Sequence, residues 1–150
     1  MEDTEFRPAQ EPDLPAIVAL LADDPLGASR ESPDDLAPYR AAFERLRGDP
    51  NQLLLVATER GEVVGTLQLS FLAGLSRRGS SRALIEAVRV HRDQRGEGLG
   101  GRMVQWAVDE ARRRGCALIQ LTSDVTRTDA RRFYERLGFV ASHVGFKMPL

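Results

Sequence analysis

The 150-residue sequence predicts an α/β protein with a central mixed sheet, mostly antiparallel, flanked by about four helices. Two apolar runs of strand length, residues 52–58 and 63–71, are separated by a glycine turn, which is the pattern of an antiparallel hairpin. Further along, apolar runs alternate with amphipathic segments over residues 83–148, which is typical of β-α-β units. We therefore expect an antiparallel first half and a β-α-β-α-β second half.

The N-terminal third predicts one short strand and two helices. Residues 5–9 read as an edge strand, because Pro8 limits pairing. Asp13 can cap a first helix with proline in its opening turn. Residues 23–34 are rich in Asp, Pro, Ser and Gly and predict a loop, and residues 36–47 have the apolar spacing of a second helix.

The second half follows the hairpin and a basic loop at residues 74–81. Its apolar and amphipathic runs have the lengths of strands and helices, and Gly115 and Gly138 are plausible helix ends. The predicted elements are a strand at 83–90, a helix at 98–114, a strand at 117–122, a polar loop at 124–128, a helix at 129–137 and a final strand or hairpin arm at 139–148.

Composition and charge argue against several classes of function. Charged residues are 29% and hydrophobic residues 42% of the chain, which is an ordinary soluble balance. The net charge of −1 gives no support to bulk nucleic-acid binding, and we expect no nucleic-acid partner. No apolar run approaches the ~20 residues of a membrane span, and the N-terminus is acidic rather than signal-like. We expect a cytoplasmic protein that does not bind membranes.

The segment that organises the second half is the glycine loop, residues 94–101, Gln-Arg-Gly-Glu-Gly-Leu-Gly-Gly. Strand, glycine loop and helix, in this order, direct backbone N–H groups and the positive end of a helix at a phosphate. Gly96-x-Gly98-x-x-Gly101 matches the dinucleotide fingerprint, but five residues separate its first glycine from Val90. No Gly-Lys-Ser or Gly-Lys-Thr follows, which excludes a P-loop.

Two segments together resemble the GCN5-related N-acetyltransferase (GNAT) superfamily. Residues 95–100, Arg-x-x-Gly-x-Gly after a strand ending Val-x-Val, resemble its acetyl-CoA loop. Residues 130–139, Ala-Arg-Arg-Phe-Tyr-Glu-Arg-Leu-Gly-Phe, resemble its second cofactor motif. The resemblance implies the GNAT fold with a splayed parallel strand pair, and one N-acetyltransferase domain over residues 1–150. It also implies transfer of an acetyl group from acetyl-CoA to a primary amine of a small molecule or peptide.

The resemblance further implies which residues hold the cofactor. Backbone N–H groups of the glycine loop would receive the pyrophosphate, with Arg95 as a charged partner. The pantetheine arm would lie along the strand at Val88 and Val90, and the N–H near Val88 would donate to the thioester oxygen. The predicted cofactor-binding residues are Val88, Arg89, Val90, Arg95, Gly96, Glu97, Gly98, Leu99, Gly100, Gly101, Arg127, Phe133 and Tyr134.

Glu86 is the predicted catalytic base. By strand alternation it is expected to share one sheet face with Val88 and Val90, partly buried, where a carboxylate takes up protons more readily. An amine must lose a proton before it can attack, so a carboxylate at this place suits the reaction. The alternative is a structural ion pair between Glu86 and an arginine such as Arg89, Arg82 or Arg127.

Tyr134 is the predicted catalytic acid. The resemblance implies that its hydroxyl donates a proton to the departing CoA sulfur. The alternative is that Tyr134 is only a core residue on the apolar face of its helix.

Arg127 stands where many relatives carry asparagine, so the role of that asparagine is not transferred. An arginine there could reach a phosphate of CoA or a carboxylate of the acceptor. Arg77, Arg78 and Arg82, together with Glu86, are the candidate substrate-binding residues, although a solvated basic loop would have the same composition.

Other features exclude or leave open further functions. His91 and His143 lack the ligand pattern of a metal site, so we expect none, and Cys116 reads as a small apolar residue. A homodimer is possible. The alternatives to an enzyme are a non-catalytic CoA-binding regulatory domain and, more remotely, a dinucleotide-binding oxidoreductase domain.

Overall fold

A computed structural model describes residues 3–150 of the chain. One five-stranded sheet runs in the order β1-β2-β3-β4-β5. The strands are β1 (Thr4–Pro8), β2 (Gln52–Glu59), β3 (Glu62–Leu72), β4 (Arg82–Val90) and β5 (Leu118–Leu121). The helices are α1 (Leu14–Ala22), α2 (Gly27–Arg30), α3 (Ala37–Arg47), α4 (Ser76–Gly79), α5 (Leu99–Arg113) and α6 (Thr128–Arg136), with 3₁₀ turns at Glu11–Asp13 and Arg92–Gln94.

The sheet is mixed, as predicted. Strands β1 to β4 pair antiparallel, and β4 pairs parallel with β5. The β2–β3 hairpin closes through Arg60 and Gly61, whose φ angles of 52° and 81° are those of a tight hairpin turn. The predicted hairpin and the predicted fold class are therefore confirmed.

Strands β4 and β5 stay together over only part of β4. Their pairing runs from Arg82 opposite Leu118 to Ile85 opposite Leu121, and β4 then continues to Val90. Residues 86–90 thus pair with β3 on one side only, which leaves one backbone edge of β4 open. This is the splayed parallel pair that the resemblance implies.

Helices cover both faces of the sheet. On one face, α5 buries Leu99, Met103 and Ala107 against Leu67 and other residues of the central strands. On the opposite face, Leu14, Ile17 and Phe43 of α1 and α3 pack on Val56 of β2. We call these the α5 face and the α1 face. They matter because successive side chains of β4 point to one or the other.

A β-bulge in β4 changes which residues share a face. Gln68 of β3 pairs with Glu86, and Thr66 pairs with Arg89, so two residues of β4 lie opposite the single residue Leu67. Ala87, one of those two, has the left-handed φ of 55°. The extra residue reverses the alternation that follows it.

The α5 core confirms that reversal. Ala83 and Ile85 before the bulge and Val88 and Val90 after it all pack on the α5 face. Glu86 consequently lies on the α1 face, opposite Val88 and Val90. The prediction that these three side chains share a face is wrong, because regular alternation does not persist through a bulge.

The predicted final strand at 139–148 is also wrong. Residues 140–150 form no strand and are exposed throughout, although Phe139 still packs on the α5 core. The predicted loop at 23–34 contains one turn of helix, α2. None of the helices in residues 3–150 is long and apolar enough to cross a bilayer.

Candidate active site

The glycine loop passes from the 3₁₀ turn after β4 into α5. Gly96 and Gly98 have φ angles of 84° and 82°, a conformation that glycine adopts without steric cost. The first helical hydrogen bond runs from the Arg102 N–H to the Gly98 carbonyl, at 3.1 Å. The N–H groups of residues 99–101 therefore have no partner within the helix and form the donor end of α5.

Two further glycines of the loop allow close packing between α5 and α6. A Cβ atom added at Gly100 would lie 3.3 Å from the Phe133 ring, and one at Gly101 would lie 3.7 Å from Leu137. The Phe133 ring thus packs over the first turn of α5. This contact fixes the second predicted cofactor motif against the first.

Arg95 is held at the mouth of the loop. Its Nε donates to the Val90 carbonyl at 3.2 Å, and a terminal nitrogen lies 3.7 Å from an Asp23 carboxylate oxygen. Arg92 binds the same carboxylate. About half of the Arg95 side chain remains exposed (53%), so its guanidinium can still meet a ligand.

Glu86 is exposed, which corrects the expectation of partial burial. It lies opposite Gln68, whose amide donates to the Gln52 side chain at 3.1 Å. Within residues 3–150 no arginine forms an ion pair with Glu86, so the alternative of a structural ion pair with Arg89, Arg82 or Arg127 is wrong. The carboxylate is free to act on a ligand at the α1 face.

Arg89 and Arg127 pair with Asp24, which lies in the loop after α1, rather than with Glu86. Asp24 Oδ2 lies 3.0 Å from Arg89 Nε, off the line of a hydrogen bond, and accepts a hydrogen bond from Arg127 at 3.1 Å. The Gly27 N–H donates to the other carboxylate oxygen. The side chains of Asp24 and Arg89 are only 14% and 16% exposed. We call Asp24, Arg89 and Arg127 the Asp24 cluster.

The electrostatics of the Asp24 cluster favour anions. Burial alone would raise the pKa of Asp24, but the hydrogen bonds from Gly27 and Arg127 and the charge of Arg89 outweigh it and lower the pKa. Burial lowers the pKa of Arg89, and the charge of Asp24 offsets that fall only in part. One carboxylate is shared by two guanidinium groups, so the cluster carries one net positive charge.

Tyr134 stands on α6 within reach of the same charges. Its ring packs edge-on against Phe133 and Phe139, with centroids 5.0 and 5.9 Å apart. Burial raises the pKa of the Tyr134 phenol, and the positive charges of Arg89 and Arg127 offset that rise only in part. The hydroxyl stays protonated at neutral pH and can act as a proton donor.

Comparison with protein families decides how the glycine loop is interpreted. The family model described as acetyltransferase (GNAT) family matches residues 14–139. The chain belongs to this family. Membership makes it an N-acetyltransferase by family and removes the interpretation of the glycine loop as a dinucleotide site.

Individual relatives align with nearly the whole chain of this acetyltransferase. The aminoalkylphosphonate N-acetyltransferase of Salmonella typhimurium is 32% identical over 97% of this chain and 91% of its own length. The L-methionine sulfoximine/L-methionine sulfone acetyltransferase of Pseudomonas aeruginosa is 29% identical over 91% of this chain and 80% of its own. A crystal structure described as a transcriptional regulator from Bacillus halodurans superposes with a TM-score of 0.95, at 48% identity over 98% of this chain and 99% of that one.

The other predicted substrate-binding residues of the acetyltransferase lie in α4 and at the start of β4. Arg77 and Arg78 are exposed in the left-handed turn of α4, and Arg82 begins β4 beside Gly74. Their role in substrate binding stays a prediction. Among residues 3–150, no three His, Cys, Asp or Glu side chains come together as a metal site. His91 instead accepts the Asp93 N–H at its own turn.

Two residues of the site were not predicted. The sequence places Asp24 only in the predicted loop at 23–34 and Gln68 only in the predicted hairpin. The burial of Asp24 depends on contacts with residues far along the chain, which leave no local pattern. The facing of Gln68 and Glu86 depends on the strand register, and the bulge is visible only once β3 and β4 are paired.

Proposed function

We propose that this acetyltransferase moves an acetyl group directly from acetyl-CoA to the primary amine of a small acceptor that also carries an anionic group. The observation that carries the proposal is the placement of Glu86 and the net-positive Asp24 cluster on the α1 face of β4, whereas α5, which follows the glycine loop, packs on the other face. A base and an anion site then stand together on the face of β4 opposite α5.

The donor side fits acetyl-CoA. The free N–H groups at the start of α5 and the exposed guanidinium of Arg95 suit a pyrophosphate. The unpaired edge of β4 after Ile85 offers backbone groups to the amides of the pantetheine arm. The Val88 N–H would donate to the thioester oxygen as negative charge develops on it.

The chain's own residues would move two protons. Glu86 would take a proton from the ammonium form of the acceptor, directly or through a water, which leaves the nitrogen lone pair free to attack the thioester carbon. The C–N bond forms, the nitrogen loses its second proton to solvent, and the C–S bond breaks. Tyr134 would donate its phenolic proton to the departing sulfur and recover a proton from solvent, so that one proton is released in total, from Glu86.

The anionic group of the acceptor is supported by charge and by a relative. A phosphonate or carboxylate at Arg89 or Arg127 would neutralise the one positive charge that Asp24 leaves uncompensated. The 32% identical relative carries a phosphonate-bearing amine in its name. Arg127 is therefore proposed as an acceptor ligand, in place of the cofactor contact that was predicted for it.

The test is acetyl-CoA-dependent release of thiol with three amines of similar size, 2-aminoethylphosphonate, β-alanine and propylamine. We expect the two anionic amines to exceed propylamine in kcat/KM by at least ~10-fold, the effect of one charge-assisted contact. Equal rates for all three would contradict the anion site.

The alternative is a non-catalytic CoA-binding regulatory domain. It is favoured by one observation, the description of the 48% identical structure as a transcriptional regulator. Tight binding of acetyl-CoA without turnover of any amine would favour this alternative. The cytoplasmic location and peptide acceptors stay predictions from the sequence.

A further inference from the structure

Gln68 of β3 is a polar side chain of the α1 face that the proposed proton transfers leave without a role. Its neighbours along the strand, Leu67 and Leu69, are buried in the α5 core, so the Gln68 side chain points to the other face. Gln68 is half-buried and lies directly opposite Glu86 in the register of β3 and β4. Cross-strand partners have Cβ atoms about 4.5–5.5 Å apart, so the two side chains are direct neighbours.

A small hydrogen-bond network fixes the orientation of the Gln68 amide. Gln68 Nε2 donates to Gln52 Oε1 at 3.1 Å, and the Ser70 hydroxyl donates to the same oxygen at 2.8 Å. An amide oxygen has two lone pairs, so both acceptor positions of Gln52 Oε1 are occupied. Turning the Gln68 amide over would bring two carbonyl oxygens together. The Nε2 group of Gln68 therefore stays on the side of Gln52, and Oε1 is directed away from it.

The Oε1 atom of Gln68 accepts no hydrogen bond from the protein. In the part of the chain that the structure describes, no N–H or O–H group donates to it, and the atom is accessible to solvent. Glu86, its cross-strand neighbour, has no arginine partner either. Two acceptor groups, a carboxylate and an amide oxygen, thus stand side by side without a protein donor. This pair suits a ligand group that brings several N–H donors, and an ammonium group has three.

We propose that Gln68 Oε1 binds the ammonium group of the acceptor beside Glu86 and makes the site selective for amines. The inference rests on the proposed function, which puts the acceptor on this face. One N–H of the ammonium group faces the Glu86 carboxylate, and a second is held by Gln68 Oε1. Thr66, the next residue of β3 on the α1 face, lies opposite Arg89, about 7 Å along the strand. The amine and the anion of one small acceptor can therefore occupy neighbouring positions.

Titration calorimetry of the CoA complex tests the role of Gln68 with two ligands, 2-aminoethylphosphonate and ethylphosphonate, which lacks the amino group. The ratio of their Kd values measures the preference for the amine. We expect Gln68→Leu to lower this preference about tenfold, the effect of losing one hydrogen bond to a charged group, with the Kd of ethylphosphonate unchanged. Gln105→Leu is the control, because the Gln105 amide also donates to a side chain, that of Asp109, but lies exposed on α5. Its preference should equal that of the wild type.

Gln68→Glu separates hydrogen-bond acceptance from any other role of the side chain. Glutamate keeps the acceptor oxygens and has no N–H group, so this variant should preserve or increase the preference for the amine. Equal loss of preference in Gln68→Leu and Gln68→Glu would overturn the proposal, because the Nε2 group would then be the part that matters. A Gln68→Leu variant that keeps the preference, or weakens both ligands alike, would overturn it too.

Failure of this proposal is distinguishable from failure of the proposed function. The calorimetry involves no acetyl transfer, so it decides the role of Gln68 whether or not an amine is turned over. A wild-type chain that binds the two phosphonates equally would overturn the role of Gln68. Equal turnover of 2-aminoethylphosphonate, β-alanine and propylamine would overturn only the anion site.

Discussion

The two faces of β4 are assembled in different ways. On the α5 face, Val88 and Val90 lead within a few residues into the glycine loop and its helix. On the α1 face, Glu86 and Arg89 stand with Asp24 and Arg127, which come from two other segments of the chain. The proposed donor motif from Val88 to Gly101 is one contiguous stretch of sequence, whereas the group of residues on the α1 face comes together only after the chain has folded.

This difference separates two tasks of a transferase. A contiguous motif can hold a donor that is common to a family, because its geometry is local. A site made from distant segments can change its acceptor through single substitutions that leave the donor loop intact. The predictions below test whether the two faces act independently, and run from the largest expected effect to the smallest.

Glu86→Gln should lower kcat/KM for the amine by about 100-fold or more, which is typical for loss of a general base. The variant keeps the size of the side chain and removes only its basicity. Steady-state thiol release over a range of pH measures it, and the affinity for acetyl-CoA should be unchanged. Glu62→Gln, an exposed glutamate of the β2–β3 hairpin, is the control; a loss below threefold at Glu86 would remove it as the base.

Asp24→Asn should cost about 3 kcal/mol of unfolding free energy, because it leaves two partly buried guanidinium groups without their carboxylate. Asp13→Asn is the matched control. Asp13 is similarly buried, accepts hydrogen bonds from Arg7 and the Gln10 N–H, and lies away from the site. Urea unfolding should show comparable losses for both. Added aminoethylphosphonate should restore only Asp24→Asn, since the ligand replaces the missing anion; equal rescue of both would contradict the anion site.

The comparison of wild type with Asp24→Asn also predicts a pH dependence. Because the folded chain lowers the pKa of Asp24, the carboxylate stabilises the fold fully above its unfolded pKa of about 4 and loses that contribution as pH falls through the folded value. The difference in unfolding free energy between wild type and Asp24→Asn should therefore shrink in acid. A difference that is constant down to about pH 2 would show that ionisation of Asp24 is not its source.

Tyr134→Phe should lower kcat by about tenfold and leave the Kd of acetyl-CoA unchanged, since a thiolate leaves fairly well without a proton donor. Tyr39→Phe is the control, because Tyr39 is the other tyrosine of the chain. It lies in α3, and its hydroxyl donates a hydrogen bond to Glu31. Single-turnover rates and calorimetry separate the two effects. An unchanged kcat would leave Tyr134 as a core residue.

The sequence predicted the features that depend on local signals and missed those that depend on contacts between distant segments. The glycine loop, its helix and the β2–β3 hairpin were predicted because turn glycines and apolar periodicity are local signals. The bulge at Ala87 was not, because one left-handed alanine within an apolar run has no signature. Regular alternation then placed Glu86 on the wrong face and made it buried.

Residues 140–150 show a second limit. The alternation of Val144, Phe146 and Met148 has the pattern of a strand, yet no strand forms there. Pattern specifies the face of a strand but not the edge that pairs with it.

The separation of the two faces is tested most directly by measuring both the acetyl-CoA Kd and the aminoethylphosphonate KM in two variants, Gly98→Ala and Arg127→Gln. Gly98→Ala places a side chain at φ 82°, which costs about 1–2 kcal/mol, and Gly61→Ala at φ 81° in the hairpin turn is its backbone-matched control. We expect Gly98→Ala to weaken acetyl-CoA about tenfold with little change in KM, and Arg127→Gln to raise KM about tenfold with acetyl-CoA affinity unchanged. Weaker acetyl-CoA binding in Arg127→Gln, with KM for the phosphonate unaltered, would contradict the account.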